Sequence, residues 1–177
     1  MNEKINEMRW IEAPITIEFS AESLAPEDFK REFATLAESD DDPLSEWVKL
    51  ARARGETKES DAVMLAMVID LHRKIDELTR IVKGETKPRL ALTHAAPISG
   101  LNFTHFRLES PLFAAGQTYY GRISLPVFPM RDVGLFFEAA SECVAKKTLM
   151  HDRDEKAWDN YVASRERVMI RAMKGNK

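Results

Sequence analysis

Between Met64 and Val82 apolar side chains recur at intervals of four, three, four, three and four residues, through Val68, Leu71, Ile75 and Leu78. That 3.5-residue average is the repeat of a coiled-coil seam. Val68, Ile75 and Val82 take the a positions and Met64, Leu71 and Leu78 the d positions. Branching at a with leucine at d favours parallel two-stranded pairing. Leu65, Met67, Ile69 and Ile81 fall outside this seam, so the stripe is wider than a simple pair of helices needs. A second surface must cover them: two pairs of helices, giving four chains, or the chain's own barrel or neighbouring helix. The competing account is an amphipathic helix buried inside one monomer, which shows similar spacing. The pattern predicts helices over 43–54 and 57–83, with Gly55 and Gly84 where C-terminal caps belong.

Upstream, alternation after Pro14 predicts a strand over 15–19. A short helix follows from Pro26, with Glu27 and Asp28 at the positive end of its dipole and Phe29, Phe33 and Leu36 at helical spacing. The run Asp40, Asp41, Asp42 reads as a solvated loop rather than a metal site, because no histidine stands near it.

Downstream the period becomes strand-like. Stretches over 89–94, 98–106, 118–128 and 133–144 are rich in β-branched, aromatic and leucine residues, and Pro97, Pro111, Gly116, Pro126 and Pro129 punctuate them. Ile123, Leu125 and Val127 alternate with polar or proline positions, and Val133, Leu135 and Phe137 share one side. A small antiparallel barrel explains both runs. An amphipathic helix over 152–174, with Trp158, Tyr161, Val162, Arg165, Val168, Met169 and Ala172 on a broad face, closes the chain. The fold class expected is α+β, in three regions: 1–42 with a strand and short helix, 43–84 as a helical oligomerisation segment, and 85–177 as barrel and terminal helix.

Charge narrows the functions. A net charge of -3 gives none of the strong positive field that nucleic-acid binding needs, and no run nears the ~20 apolar residues of a membrane span. One cysteine, Cys143, forms no internal disulfide and sits in an apolar run where a thiol packs as a small hydrophobe. The N-terminus lacks the apolar core of a signal peptide, so the expected location is the cytoplasm. His72, His94, His105 and His151 are scattered without ligand spacing, although His94 and His105 could meet across neighbouring strands. Asp152, Asp154 and Glu155 suit a helix start. No nucleophile, phosphate-loop or dinucleotide motif occurs, so no enzyme activity and no cofactor are expected.

The segment Ser99-Gly100-Leu101-Asn102-Phe103, then Leu112 with Gly116, then Ile123, Leu125 and Pro126, the run from Ala139 to Val144, and a helix bearing Tyr161 to Arg167 follow in an order that resembles the PilZ domain. The likeness covers roughly half the chain. It implies a small barrel and, in most of the family, binding of cyclic di-GMP through an R-x-x-x-R loop and a D/N-x-S-x-x-G segment. Here Lys83, Lys87 and Arg89 precede the first strand without the paired guanidinium groups that grip phosphate and guanine edges. Aligning Ser99 puts Pro97 at the acidic or amide position and Asn102 at the glycine, while Arg167 and Arg171 lie in the terminal helix. Cyclic di-GMP is therefore not an expected ligand; a divergent receptor would use Lys83, Lys87, Arg89 and Ser99. The central heptads resemble those of atypical PilZ proteins that form tetramers through added helices. The resemblance implies a homo-oligomer, tetramer over dimer, acting on a protein partner in motility, type IV pilus or virulence signalling.

Overall fold

The computed structural model describes residues 8–38, 43–84, 89–126 and 131–175. Six strands form a closed antiparallel barrel: β1 (Ile15–Ala21), β2 (His94–Leu101), β3 (His105–Leu108), β4 (Thr118–Leu125), β5 (Arg131–Ala139) and β6 (Val144–Met150). Their order around the barrel is β1-β2-β3-β6-β5-β4. Among the described residues four α-helices accompany them: α1 (Pro26–Glu38), α2 (Pro43–Ala53), α3 (Ala62–Val82) and α4 (Asp152–Gly175). The chain divides into a barrel unit of Met1–Leu36 with Ala91–Lys177 and a helical unit of Ala37–Leu90.

Alternation drives the barrel. Ile17, Phe19, Ile123, Leu125, Val133, Leu135 and Phe137 point inward and are fully buried. Phe137 stacks on Tyr119 at 5.4 Å and meets Phe106 edge-on at 5.0 Å, so an aromatic cluster fills the interior. Gly121 permits this packing, because a Cβ there would stand 2.9 Å from the Phe137 ring and 3.1 Å from the Glu18 carbonyl oxygen. On α4, Trp158, Tyr161 and Val162 bury against the barrel, and the Trp158 indole donates to the Asn102 carbonyl at 2.9 Å. The stripe expected to reach Ala172 loses cover toward its C-terminal end: Val168 and Ala172 are exposed and Met169 is half-buried.

Several expectations are corrected. The strand at 15–19 runs to Ala21 and does not belong to a separate N-terminal region, since it closes the barrel by pairing with both β2 and β4. The stretch 98–106 is two strands rather than one. Asn102 Oδ1 accepts from the backbone N–H of Thr104 at 2.9 Å and of His105 at 2.8 Å, and this side-chain turn reverses the chain. Of 89–94 only His94 enters a strand. The run 133–144 ends at Ala139, and Ser141 Oγ, accepting from Val144 N–H at 3.1 Å, turns the chain into β6, an element the pattern did not reveal. Cys143 is half-buried in that turn. The long helix starts at Ala62, not Thr57, because the Asp61 side chain accepts from Val63 N–H at 2.8 Å and Met64 N–H at 2.9 Å and so caps it. Asp40, Asp41, Asp42, Lys87, Val127, Phe128 and Pro129 lie outside the described residues.

Candidate interaction surfaces

The six seam residues of α3 lie together on one face, as helical geometry requires, and that face is uncovered. Met64, Val68, Leu71, Ile75, Leu78 and Val82 are between 53 % and 86 % exposed, although each is a large apolar side chain. Met67 and Ile81, outside the seam, are exposed as well, whereas Leu65 and Ile69 are half-buried. Elsewhere α3 follows ordinary surface chemistry: Asp70 pairs with Lys74 at 3.6 Å and His72 lies 3.2 Å from Asp76. A contiguous apolar stripe about five turns long that no other described residue covers is unusual on a protein surface.

The residues of the divergent nucleotide site are distributed differently. Lys83 ends α3 and, like Arg89, is exposed in the helical unit, while Ser99 is half-buried on β2 in the barrel unit. The Ser99 hydroxyl donates to the Arg107 carbonyl at 3.3 Å. Asn102, at the motif's glycine position, is committed to the β2–β3 turn described above. Arg107 lies against the next strand position: a Cβ on Gly100 would be 2.8 Å from its Nε, and its guanidinium sits 5.2 Å from the Trp10 ring centre. Arg167 and Arg171 are exposed on α4. The two histidines on β2 and β3 do not meet. Leu101 pairs with Phe106, which puts His105 beside one end of β2 and His94 at the other.

A groove of about 300 Å³ runs beside the β2–β3 turn, lined by Met8, Ile11, Phe103 and Val162 with Asn102 and Thr104. Its two charges, Arg9 and Glu166, neutralise one another at 2.8 Å, so the groove suits an apolar group better than a phosphate. Among the described residues, no group of three or more His, Cys, Asp or Glu side chains converges on a point that could hold a metal ion. Among the same residues, no helix is long and apolar enough to cross a membrane.

The polar cluster that the pattern missed joins α1 to the barrel. Arg122 on β4 is buried and donates to Glu32 Oε1 on α1 at 2.8 Å and to Glu18 on β1. The Tyr120 hydroxyl donates to the same Glu32 oxygen at 3.0 Å. Phe29 stacks on Tyr120 at 5.1 Å, and Phe33 stacks on His151 at 3.8 Å, which completes the attachment. Only the register Glu18 opposite Arg122 could have signalled the cluster, and register is a long-range property.

Burial, followed by the Glu32 carboxylate acting through charge and hydrogen bond, pushes the Tyr120 hydroxyl well above its ordinary pKa of 10.0. The folded state thus favours the neutral phenol. The unfolded chain releases that proton near 10, so this contribution is intact below about pH 10 and declines as pH rises further. Thermal melts followed by circular dichroism should show Tm falling above that pH, and falling less steeply in Tyr120→Phe.

Comparison with protein-family models, with curated proteins and with solved structures returns no match. None of them identifies a PilZ domain.

Proposed function

We propose that this chain is a non-catalytic oligomeric signalling or adaptor protein, with a degenerate PilZ-like barrel and a self-associating coiled-coil helix, acting in bacterial motility, type IV pilus or virulence regulation. The uncovered α3 seam carries the reading. Leaving six large apolar side chains in water is costly at roughly 25 cal/mol per Å², and a second copy presents the same a and d positions for knobs-into-holes packing. The a and d choice specifies pairing and the resemblance implies four copies. Repeated presentation of the barrel would strengthen weak individual contacts with a protein partner. The cytoplasm suits that role. Loss of cyclic di-GMP binding is supported by Pro97 and Asn102 at two motif positions and by Ser99 being committed to a backbone carbonyl.

Light scattering across a concentration series should give a mass that is a multiple of 20.2 kDa. A monomer at every concentration rejects the reading. Calorimetric titration with cyclic di-GMP should show no saturable heat; micromolar or tighter binding would make the chain a divergent receptor instead.

A further inference from the structure

We propose that the outer face of β2 and β3 around Arg107 is where the barrel recognises its protein partner, and that the guanidinium there takes a carboxylate of an acidic peptide segment. The inference rests on the adaptor reading above and adds the chemistry that the partner presents.

Arg107 is a half-buried cation that its own chain does not answer. Other arginines of the barrel unit are engaged: Arg122 by Glu32 and Glu18, Arg9 by Glu166, and Arg165 by the Glu12 carbonyl. Arg107 Nε is enclosed against Gly100 with no acceptor, and among the described residues no carboxylate pairs with the guanidinium. Gly100 stands opposite Arg107 in the β2–β3 register and leaves room for it, since a Cβ there would be 2.8 Å from Nε. The Trp10 ring holds the group from another side, 5.2 Å from ring centre to guanidinium carbon. The plane of the fork is therefore fixed before a ligand arrives, and a fork fixed in this way loses less freedom on binding than a free side chain. Nε is sealed, so the two terminal nitrogens are the donors left for a ligand.

The surroundings select the anion. His105 shares the outer face of β3 with Arg107, two residues away, and stands across from Lys146 on β6. Burial, and then the Lys146 charge, hold the His105 imidazole below its ordinary pKa of 6.5, so it is neutral at neutral pH. Lys146 faces Glu138 of β5 on its other side. The Ser99 hydroxyl is committed to the Arg107 carbonyl. One planar two-donor fork with a single unbalanced charge complements one carboxylate, whereas a doubly charged phosphate is better held by several cations. The chain as a whole carries a net charge of -3, so this local positive face would steer an acidic segment to one place.

Amide, arginine and indole N–H spectra of the isotope-labelled intact protein, titrated with a short peptide of alternating aspartate and glycine and with its asparagine counterpart, test this. The aspartate peptide should saturably shift the Gly100 N–H, the Arg107 Nε–H and the Trp10 indole N–H, and the asparagine peptide should not. Arg107→Gln should raise the dissociation constant at least about 10-fold, or about 1.4 kcal/mol. Arg107→Lys should do nearly the same, because an ammonium lacks the fork. Arg171→Gln, on the exposed end of α4, should change nothing. Circular dichroism checks that each variant is folded. Binding that survives both Arg107 variants, equal shifts with the asparagine peptide, or no saturable shift at all overturns the inference. Inorganic phosphate that saturates the same signals at lower concentration and displaces the peptide overturns it in favour of a phosphate ligand. The signals are read whatever the mass of the protein: an oligomer without them sinks this inference alone, and a monomer that shows them sinks the oligomer reading alone.

Discussion

Leu71→Asp/Leu78→Asp should convert the proposed α3 assembly to a monomer, raising the dissociation constant by at least about 1000-fold, or ~4 kcal/mol. Both leucines occupy d positions and are 59 % and 60 % exposed in a single chain, so the folded monomer should lose little beyond helix propensity, about 0.5 kcal/mol per residue. In the assembled seam each aspartate would meet its symmetry mate in a site emptied of water, where an unpaired carboxylate costs several kcal/mol. Sedimentation velocity gives the mass and a thermal melt reports the barrel. An unchanged oligomer would remove α3 from the interface. A collapsed melt would mean that these leucines support the chain's own fold, against their exposure.

The two kinds of period were legible to different depths. A 3.5-residue repeat and a two-residue alternation are local, so α3 and the core residues of β4 and β5 could be read from neighbouring positions. The barrel's closure could not. β1 pairs with strands that begin some 80 and 100 residues later in the chain, and nothing in the sequence around Ile17 and Phe19 names those partners. β6 was hidden by its own chemistry, because Lys146, Lys147 and Thr148 interrupt the apolar signal between Val144 and Met150. The turn at Asn102 was hidden inside a run that otherwise reads as one strand, since one amide side chain, not a glycine or proline, reverses the chain. Whether the α3 seam was covered was likewise beyond any periodic argument, as the same spacing serves a buried helix. The residues that a divergent nucleotide site would use illustrate the opposite case: Lys83 and Arg89 belong to the helical unit and Ser99 to the barrel unit, although they stand close in the sequence.

Arg122→Met should lower the unfolding free energy by ~3–5 kcal/mol, the cost of breaking a buried ion pair from one side. The Arg122 and Glu32 side chains are 9 % and 11 % exposed, so water replaces little of what the guanidinium supplies. The Glu18 arm is different: its side chain is 49 % exposed, and Glu18→Ala should cost no more than about 1 kcal/mol. This contrast separates attachment of α1 from a general effect of charge on the barrel. Glu32→Leu combined with Arg122→Met should recover most of the loss, because well-packed apolar replacements of a buried pair are often neutral. Urea titrations of Arg122→Met, Glu18→Ala, Glu32→Leu, the double variant and the intact protein measure each term, and the double variant closes a cycle for the Glu32–Arg122 coupling. If the two single losses at Glu32 and Arg122 simply add, the pair is not what fastens α1, and the stacking of Phe29 on Tyr120 and Phe33 on His151 must hold the helix by itself.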